Sequence, residues 1–315
     1  MAIERTRILV LNHNGAALLR ECLPSIARAA DQAGVPCPIT VVDNASTDES
    51  LAYLAKHWPQ ISLLRCENRG LASFNTVLAQ LEEPAVLLLN NDVKLQPDAL
   101  PPLLSALAND QSALFAAPQC WTFDGSTYEG MRTRVRMRFG MVQGLCRVPG
   151  FEQFIHQTGL TASAGPVLLV DRAKFLAIGG YDPLYLPGRI EDLDLGFAGW
   201  LRGWRGLYVP ESRAFHKGFG SFEPAFGRSG CDRLALRNTL LFAWKNLRGA
   251  RLLAHLAWLP LRAAWSLVAR RPTFLFALIA ALRRLPLALH SRRAVALAAI
   301  HWKARQDSFF QQFQW

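Results

Sequence analysis

The chain has 315 residues, 51% hydrophobic, 19% charged and 10% aromatic, which excludes a disordered or fibrous protein and allows one large domain with an appendage, or two modest ones. Its six cysteines, at positions 22, 37, 66, 120, 146 and 231, include no C-x-x-C pair, so neither a thiolate zinc site of the usual spacing nor a disulfide framework is expected. The net charge of +11 is unevenly spread: residues 1–227 hold 20 Lys and Arg against 22 Asp and Glu, whereas residues 228–305 hold 15 basic residues and the single acid Asp232.

The chain opens on Met1-Ala2-Ile3-Glu4-Arg5, with no basic, apolar, small-residue leader, so a reducing cytoplasm is the expected compartment. Ile8-Leu9-Val10-Leu11 reads as a buried strand ending in Asn12-His13-Asn14-Gly15. Leu18, Leu19, Cys22, Leu23, Ile26 and Ala30 follow at helical spacing. Ile39–Val42 predicts a second strand ending at Asp43-Asn44, and Ser46-Thr47-Asp48-Glu49 reads as a capping box that starts the next helix. Ile61–Leu64 predicts a third strand, residues 71–81 a helix, and Val86–Leu89 a fourth strand ending in Asn90-Asn91-Asp92. Alternation of this kind predicts a mostly parallel sheet with helices on both faces. Asn12, Asn14, Asp43, Asn90, Asn91 and Asp92 then all stand at carboxyl ends of strands, the edge where open parallel sheets bind ligands.

Residues 8–220 resemble the family 2 glycosyltransferases of the GT-A fold, in the rhamnosyltransferase-like branch. The matching stretches are LNHNGAALLRECLPSI (11–26), VVDNASTDES (41–50), ENRGLASFNTVL (67–78), LLLNNDV (87–93), IGGYDPLYLPGRIEDLDLGFAGWLRGWR (178–205) and VPESRAFHKGFGS (209–221). The resemblance implies an inverting, metal-dependent transfer of a sugar from a nucleotide-diphosphate donor, with dTDP-rhamnose suggested by the branch, to a hydroxyl of a glycan or lipid-linked acceptor. It implies that Asp43 bonds the nucleobase, that Asn14 lies at the donor site, and that Asn68, Gly70 and Asn75 belong to a loop closing over the nucleotide, with Asp48 ordering the site. Asp92 matches the last acid of the D-x-D motif, whose first acid is replaced by Asn90, and His216 matches the second protein ligand of a Mn²⁺ or Mg²⁺ ion. Asp192 is implied as the general base, with Glu191 orienting it or binding acceptor, while Asp194 is expected to bond backbone or a basic neighbour.

Two departures from the family pattern bear on the donor pocket. Phe74 stands where a small residue is usual, so it either reshapes the pocket or turns into the core, and Gly199-Trp200 stands where a basic residue is usual. A catalytically silent glycan-binding scaffold on the same fold is the alternative, and a nucleotidyltransferase would need a basic Gly-rich start loop that is absent. Between residues 118 and 165, Arg132, Arg134, Arg136 and Arg138 alternate as on a strand, either as a solvated face or as a cationic face for an acceptor phosphate.

The expected organisation is a GT-A domain over 1–227, with a nucleotide-binding half (about 1–117) and an acceptor half (about 118–227), followed by a helical basic region at 228–315. That region alternates apolar runs, Leu252–Leu261, Pro272–Leu282 and Ala294–Ile300, with arginines and with Trp258, Trp265 and Trp302. Such a pattern suits helices lying in an anionic bilayer interface, at the inner face of the cell membrane, and no nucleic-acid reading motif accompanies it.

Overall fold

The computed structural model describes residues 3–218, 222–298 and 301–315. Phe219, Gly220 and Ser221 of the last matching stretch, and Ile300 of the last apolar run, lie outside the described residues. The first half alternates strands and helices. In order come β1 (Thr6–Asn12), α1 (Ala16–Asp31), β2 (Ile39–Asn44), α2 (Ser50–His57), β3 (Ser62–Cys66), a single turn at Gly70–Ala72, α3 (Ser73–Leu78), β4 (Ala85–Asn90), β5 (Val93–Leu95) and α4 (Leu100–Asn109). Then follow β6 (Ala113–Thr122), β7 (Tyr128–Gly130), β8 (Arg134–Arg138), β9 (Met141–Leu145), β10 (Gly159–Thr161), β11 (Val167–Asp171), α5 (Arg172–Ala177), α6 (Glu191–Leu201) and β12 (Arg205–His216). The C-terminal region is helical: α7 (Phe222–Asn246, broken at Gly227), α8 (Gly249–Val268), α9 (Thr273–Leu282), α10 (Leu285–Ala298) and α11 (Trp302–Phe313).

The main sheet runs β10-β12-β6-β11-β4-β1-β2-β3, with β5 on β12 and β7 on β6. β3, β2, β1 and β4 are mutually parallel, and β11 turns antiparallel between β4 and β6. β1 and β4 are apolar almost throughout because helices cover both sheet faces, which is why their sequences do not alternate. Leu19, Cys22, Leu23 and Ile26 form the inward stripe of α1. Strand order reverses about β1, with β2 on one side and β4 on the other, and the crevice at that switch faces the carboxyl ends of all three.

Two expectations need correction. α2 begins at Ser50, four residues after the expected cap Ser46, because Ser46 turns towards the strand ends instead. The strand expected over 206–210 continues through a bulge to His216: its pairing with β6 slips between Val209 and Arg213, then resumes to His216 opposite Thr122. Pro210, which reads as a strand end, sits at the bulge, where a missing amide hydrogen breaks no ladder.

A second apolar core joins β8, β9 and α6 to the C-terminal helices. Val135, Val142, Leu193 and Phe197 pack in one cluster with Leu240, Phe242, Leu247, Phe274, Phe309 and Phe313. Phe197 meets Phe242 and Phe309 edge-on, at 5.6 and 4.9 Å between ring centres. Gly199 lets α6 lie against Leu114, whose Cδ2 would stand 2.5 Å from an added Cβ, and the Trp200 indole donates to Arg305 O and Ser308 Oγ of α11. The place of the usual basic residue is therefore occupied by helix packing.

Candidate active site

At the carboxyl ends of β1, β2 and β4 the side chains form one hydrogen-bonded network. Asn12, fully buried, donates to Asp43 Oδ1 (3.2 Å) and Ser46 Oγ (3.1 Å) and accepts from Asn91 Nδ2 (2.7 Å). Gly15 leaves room for that last bond: a Cβ there would fall 1.9 Å from Asn91 Nδ2. Asp43 Oδ2 accepts from the Ser46 amide, and Ser46 Oγ accepts from the Asn14 amide. Asn14, in the left-handed region at φ 48°, accepts from the amides of Thr47 and Asp48 through its side chain. Asp48 accepts from the Ala16 and Ser50 amides, so one carboxylate holds the first turns of both α1 and α2. These contacts fix the rim of the crevice before any ligand arrives.

The loop after β3 closes the same side. Asn68 accepts from the Gly70 amide, and Gly70 O accepts from Asn44 Nδ2. Gly70 adopts φ 52° and an added Cβ would stand 2.9 Å from Pro187 O, so this loop touches the segment that leads to Glu191. Asn75 points away from the crevice: its amide donates to Gly179 O and Tyr181 O and accepts from the Tyr181 amide. Phe74 is buried in the core beside Tyr181, which resolves its two readings in favour of the inward one and leaves the loop unobstructed.

Asp92, in the turn just before β5, meets His216 at the far end of β12. Lys217 N donates to Asp92 O, and His216 Nε2 lies 3.4 Å from Asp92 Oδ2. Among the described residues, Asp92 Oδ1 is buried without a hydrogen-bond partner. The other imidazole nitrogen, Nδ1, meets Glu129 Oε2 at 2.7 Å. Burial alone would lower the His216 pKa, but the hydrogen bonds and charges of Asp92 and Glu129 outweigh it and push it up to about 9. Glu129 was not among the residues singled out from sequence. It arrives through β7, which pairs with β6 beside His216, and no local pattern marks it.

An orphaned carboxylate oxygen beside an imidazole whose far nitrogen is held by a second carboxylate is a donor set that fits a hard divalent ion. Among the described residues no group of three His, Cys, Asp or Glu forms a ready-made cage, so such an ion would take its remaining oxygens from a ligand or water.

Glu191 and Asp192 open α6 after two consecutive left-handed residues, Arg189 (φ 83°) and Ile190 (φ 76°), and a cis Leu186–Pro187 bond. Among the described residues, Glu191 Oε2 and Asp192 Oδ1 are buried without hydrogen-bond partners. Burial pushes Glu191 up to about 7, and burial together with the Glu191 charge raises Asp192 well above the usual carboxylate range. A small cleft beside Glu191 is lined by Leu71, Tyr181, Tyr185, Pro187 and Gly188, so the turn at Gly70–Ala72 and the α6 entrance share it. Among the described residues no hydrogen bond joins the Glu191–Asp192 pair to Asp92 or His216. Asp194 faces inward instead, accepting from Tyr185 Oη (2.8 Å), Lys245 Nζ (2.6 Å) and Asn246 Nδ2 (2.7 Å).

Three of the four alternating arginines are tied within the fold. Arg132 donates to Phe154 O and Gln157 O, Arg134 to Gln312 O and Arg136 to Gln143 Oε1. Arg136 also stacks on Trp315, 3.6 Å from the ring centre, so Arg134 and Arg136 fasten the C-terminal segment, whereas Arg138 stands exposed beside the Phe139 ring.

Residues 7–161 match the family model described as glycosyl transferase family 2. A curated relative from Mycobacterium tuberculosis, an N-acetylglucosaminyl-diphospho-decaprenol L-rhamnosyltransferase, is 27% identical over 234 residues, covering 66% of this chain and 75% of the relative. Among solved structures, GalNAc-T7 with UDP, GalNAc and Mn²⁺ superposes with a TM-score of 0.58 at 18% identity, over 77% of this chain. The match spans 48% of that longer chain. The mannosyltransferase PcManGT from Pyrobaculum calidifontis, with GDP-Man and Mn²⁺, gives 0.53 at 19% identity over 98% of this chain and 84% of its own.

Proposed function

The chain belongs to glycosyl transferase family 2 and is a rhamnosyltransferase-like glycosyltransferase, and from that premise we propose that it transfers rhamnose, with inversion and with a divalent cation, from a nucleoside-diphosphate donor to a lipid-linked acceptor at an anionic membrane surface. The name of the Mycobacterium tuberculosis relative supports both the sugar and the lipid-diphosphate acceptor. The observation that supports the reading is a pair of acidic sites with unsatisfied oxygens: Asp92 beside His216 near the strand ends, and Glu191 with Asp192 at the start of α6, where Glu191 lines a cleft shared with the turn at Gly70–Ala72.

In this reading Asp43 and the 68–70 loop hold the nucleoside, while Asn90, Asp92 and His216 face the diphosphate. Mn²⁺ or Mg²⁺ held by Asp92 and His216 would neutralise charge developing on the leaving phosphate. The acceptor hydroxyl attacks the anomeric carbon as the bond to the β-phosphate oxygen breaks, and its proton passes to Asp192. The nucleoside diphosphate leaves with the bonding electron pair. Mixing the protein with dTDP-rhamnose, other nucleotide sugars and Mn²⁺ should raise its melting temperature with the preferred donor and release nucleoside diphosphate once acceptor is added. Absence of release with every donor would return the chain to a binding role.

Glu129 has a defined part in this arrangement. By holding Nδ1 it presents the Nε2 lone pair to the metal, so Glu129→Gln should weaken Mn²⁺ binding by about 10- to 100-fold while leaving the fold intact. Calorimetric titration with Mn²⁺ alone reads this directly, and an unchanged affinity would show that Glu129 has no such part.

The buried carboxylate pair sets a pH dependence. Two such groups lose their protons in steps that belong to both. The acid limb of kcat is therefore expected well above the ordinary carboxylate range, because burial opposes the ionisation of both groups. Stability should move oppositely: the folded chain keeps protons that the unfolded chain releases near 4.5, so this pair's contribution falls as pH rises from about 4.5 to about 7.

Membrane seating is supported by the outer face of α8. Leu253, Leu256, Pro260, Leu261, Trp265 and Val268 recur at three- and four-residue spacing and all are exposed, Trp265 at 70% and Val268 at 76%. Of that helix's polar residues, His255 and Ser266 are buried and Arg251 and Arg262 half-buried, against Asp307 and Phe274, the reverse of an ordinary surface helix. Phe276, Ile279 and Leu282 extend the apolar face onto α9, and Arg270, Arg271 and Arg283 stand exposed beside it. No single helix among those described is long and apolar enough to cross a membrane, and α9 with α10 reaches that length only as a pair bent by 63°. Leu261→Asp with Trp265→Asp should cut co-flotation with phosphatidylglycerol vesicles by about tenfold or more. Undiminished flotation would show that another surface binds lipid.

A further inference from the structure

The segment that delivers Glu191 and Asp192 is held almost entirely by side chains of the C-terminal helices. Asn238, fully buried on α7, donates through one amide to Tyr185 O (2.6 Å), Gly188 O (2.7 Å) and Arg189 O (2.9 Å). Arg237 donates to Leu186 O (2.6 Å) and braces Asn238 Oδ1 (2.9 Å). Arg284, at the bend between α9 and α10, donates to Leu184 O (2.7 Å) and Leu186 O (3.1 Å). Five backbone carbonyls between residues 184 and 189 thus accept from the C-terminal region. Two helical turns further along α7, Lys245 bridges Asp182 and Asp194 on either side of the same segment. The grip ends at Arg189 and Ile190, whose left-handed backbones cost energy for residues with a Cβ and persist only where the surroundings hold them.

We propose that Arg237, Asn238 and Arg284 are positioning residues for the reaction: their grip on the carbonyls of residues 184–189 fixes the direction in which Glu191 and Asp192 enter the crevice. The proposal rests on the reading of Asp192 as the general base. A grip on backbone oxygens orients the segment whatever its side chains are, and acts mainly on the acceptor side, because the rim around Asp43 is held by other contacts and the 68–70 loop meets the segment at Pro187. The C-terminal region is then part of the catalytic apparatus as well as its seat on lipid.

Asn238→Leu removes the donors at nearly constant volume. It should lower kcat about 10- to 100-fold, the loss expected for a misplacement of about an ångström. The affinity for dTDP with Mn²⁺, measured by calorimetry, should stay within twofold of wild type. The acid limb of kcat should also shift towards ordinary carboxylate values as water reaches the pair, whose other titratable neighbours are Tyr181 before the segment, Arg189 within it and Asp194 on α6. Arg284→Lys, which keeps the charge but loses the fork, should give a smaller loss in the same pattern and serves where Asn238→Leu does not fold. An unchanged kcat and acid limb in a folded variant, or a parallel fall of kcat and dTDP affinity, would overturn the proposal. Asp192→Asn separates the two ideas: if it retains transfer the base is misassigned, and if it is silent while Asn238→Leu behaves as wild type, only the positioning role fails.

Discussion

Asp192→Asn should lower kcat by about 10²- to 10⁴-fold, the contribution of a positioned general base, while the nucleotide sugar still raises the melting temperature. The substitution keeps the shape of the side chain and removes only the capacity to take the acceptor proton. Its effect on stability should have the opposite sign. Asp192 is raised well above its ordinary value because burial, and then the Glu191 charge, oppose its ionisation. Removing one of two buried acids relieves that opposition, so the variant should melt higher than wild type, most clearly above pH 7. Loss of turnover with gain of stability is the signature of a site whose strain serves chemistry, and a neutral scaffold position would show neither. Transfer within tenfold of wild type would move the role to Glu191, to be tried next as Glu191→Gln.

The largest loss of stability should come from Lys245→Met. Lys245 is buried and lies 2.7 Å from Asp182 and 2.6 Å from Asp194, whose side chain is only 4% exposed. Burial would lower the pKa of this ammonium, but the two carboxylates hold it above its ordinary value. Methionine fills similar space yet leaves both acids without their cation, at a cost of about 3–5 kcal/mol. In thermal melts the midpoint should fall on the order of 10 °C. Adding Asp194→Asn should recover part of the loss, because the neutral amide can still accept from Tyr185 and needs no counter-charge. A fall below about 1 kcal/mol would mean that water reaches the pair.

How far the sequence discloses this molecule depends on the range of the interaction concerned. β1, β2 and β4 are legible because strands covered on both faces need unbroken apolar runs, and their polar ends mark the crevice at once. Asp92 and Glu191-Asp192 are legible as motifs. Ser46 misleads because its hydroxyl serves either a helix start or a neighbouring strand end, and only the folded pairing of β1 with β2 decides between them. The last stretch of β12 is hidden by Pro210 and the charged Glu211 and Arg213, which resemble a loop until the bulge is known. Glu129 leaves no local trace, since it reaches its partner across 87 positions. In the C-terminal region the change of composition is plain, but periodicity alone does not say which face of α8 turns outward.

Because Phe309, Phe310 and Phe313 of the final helix lie in the same apolar core as Leu193 and Phe197, the polypeptide offers no seam at which a water-soluble catalytic fragment could be cut. Shortening it from the end would strip cover from α6 and spoil the enzyme. Detergent-free preparations are better sought by recoding the bare side of α8, where polar replacements at Leu253 or Leu261 disturb nothing inside.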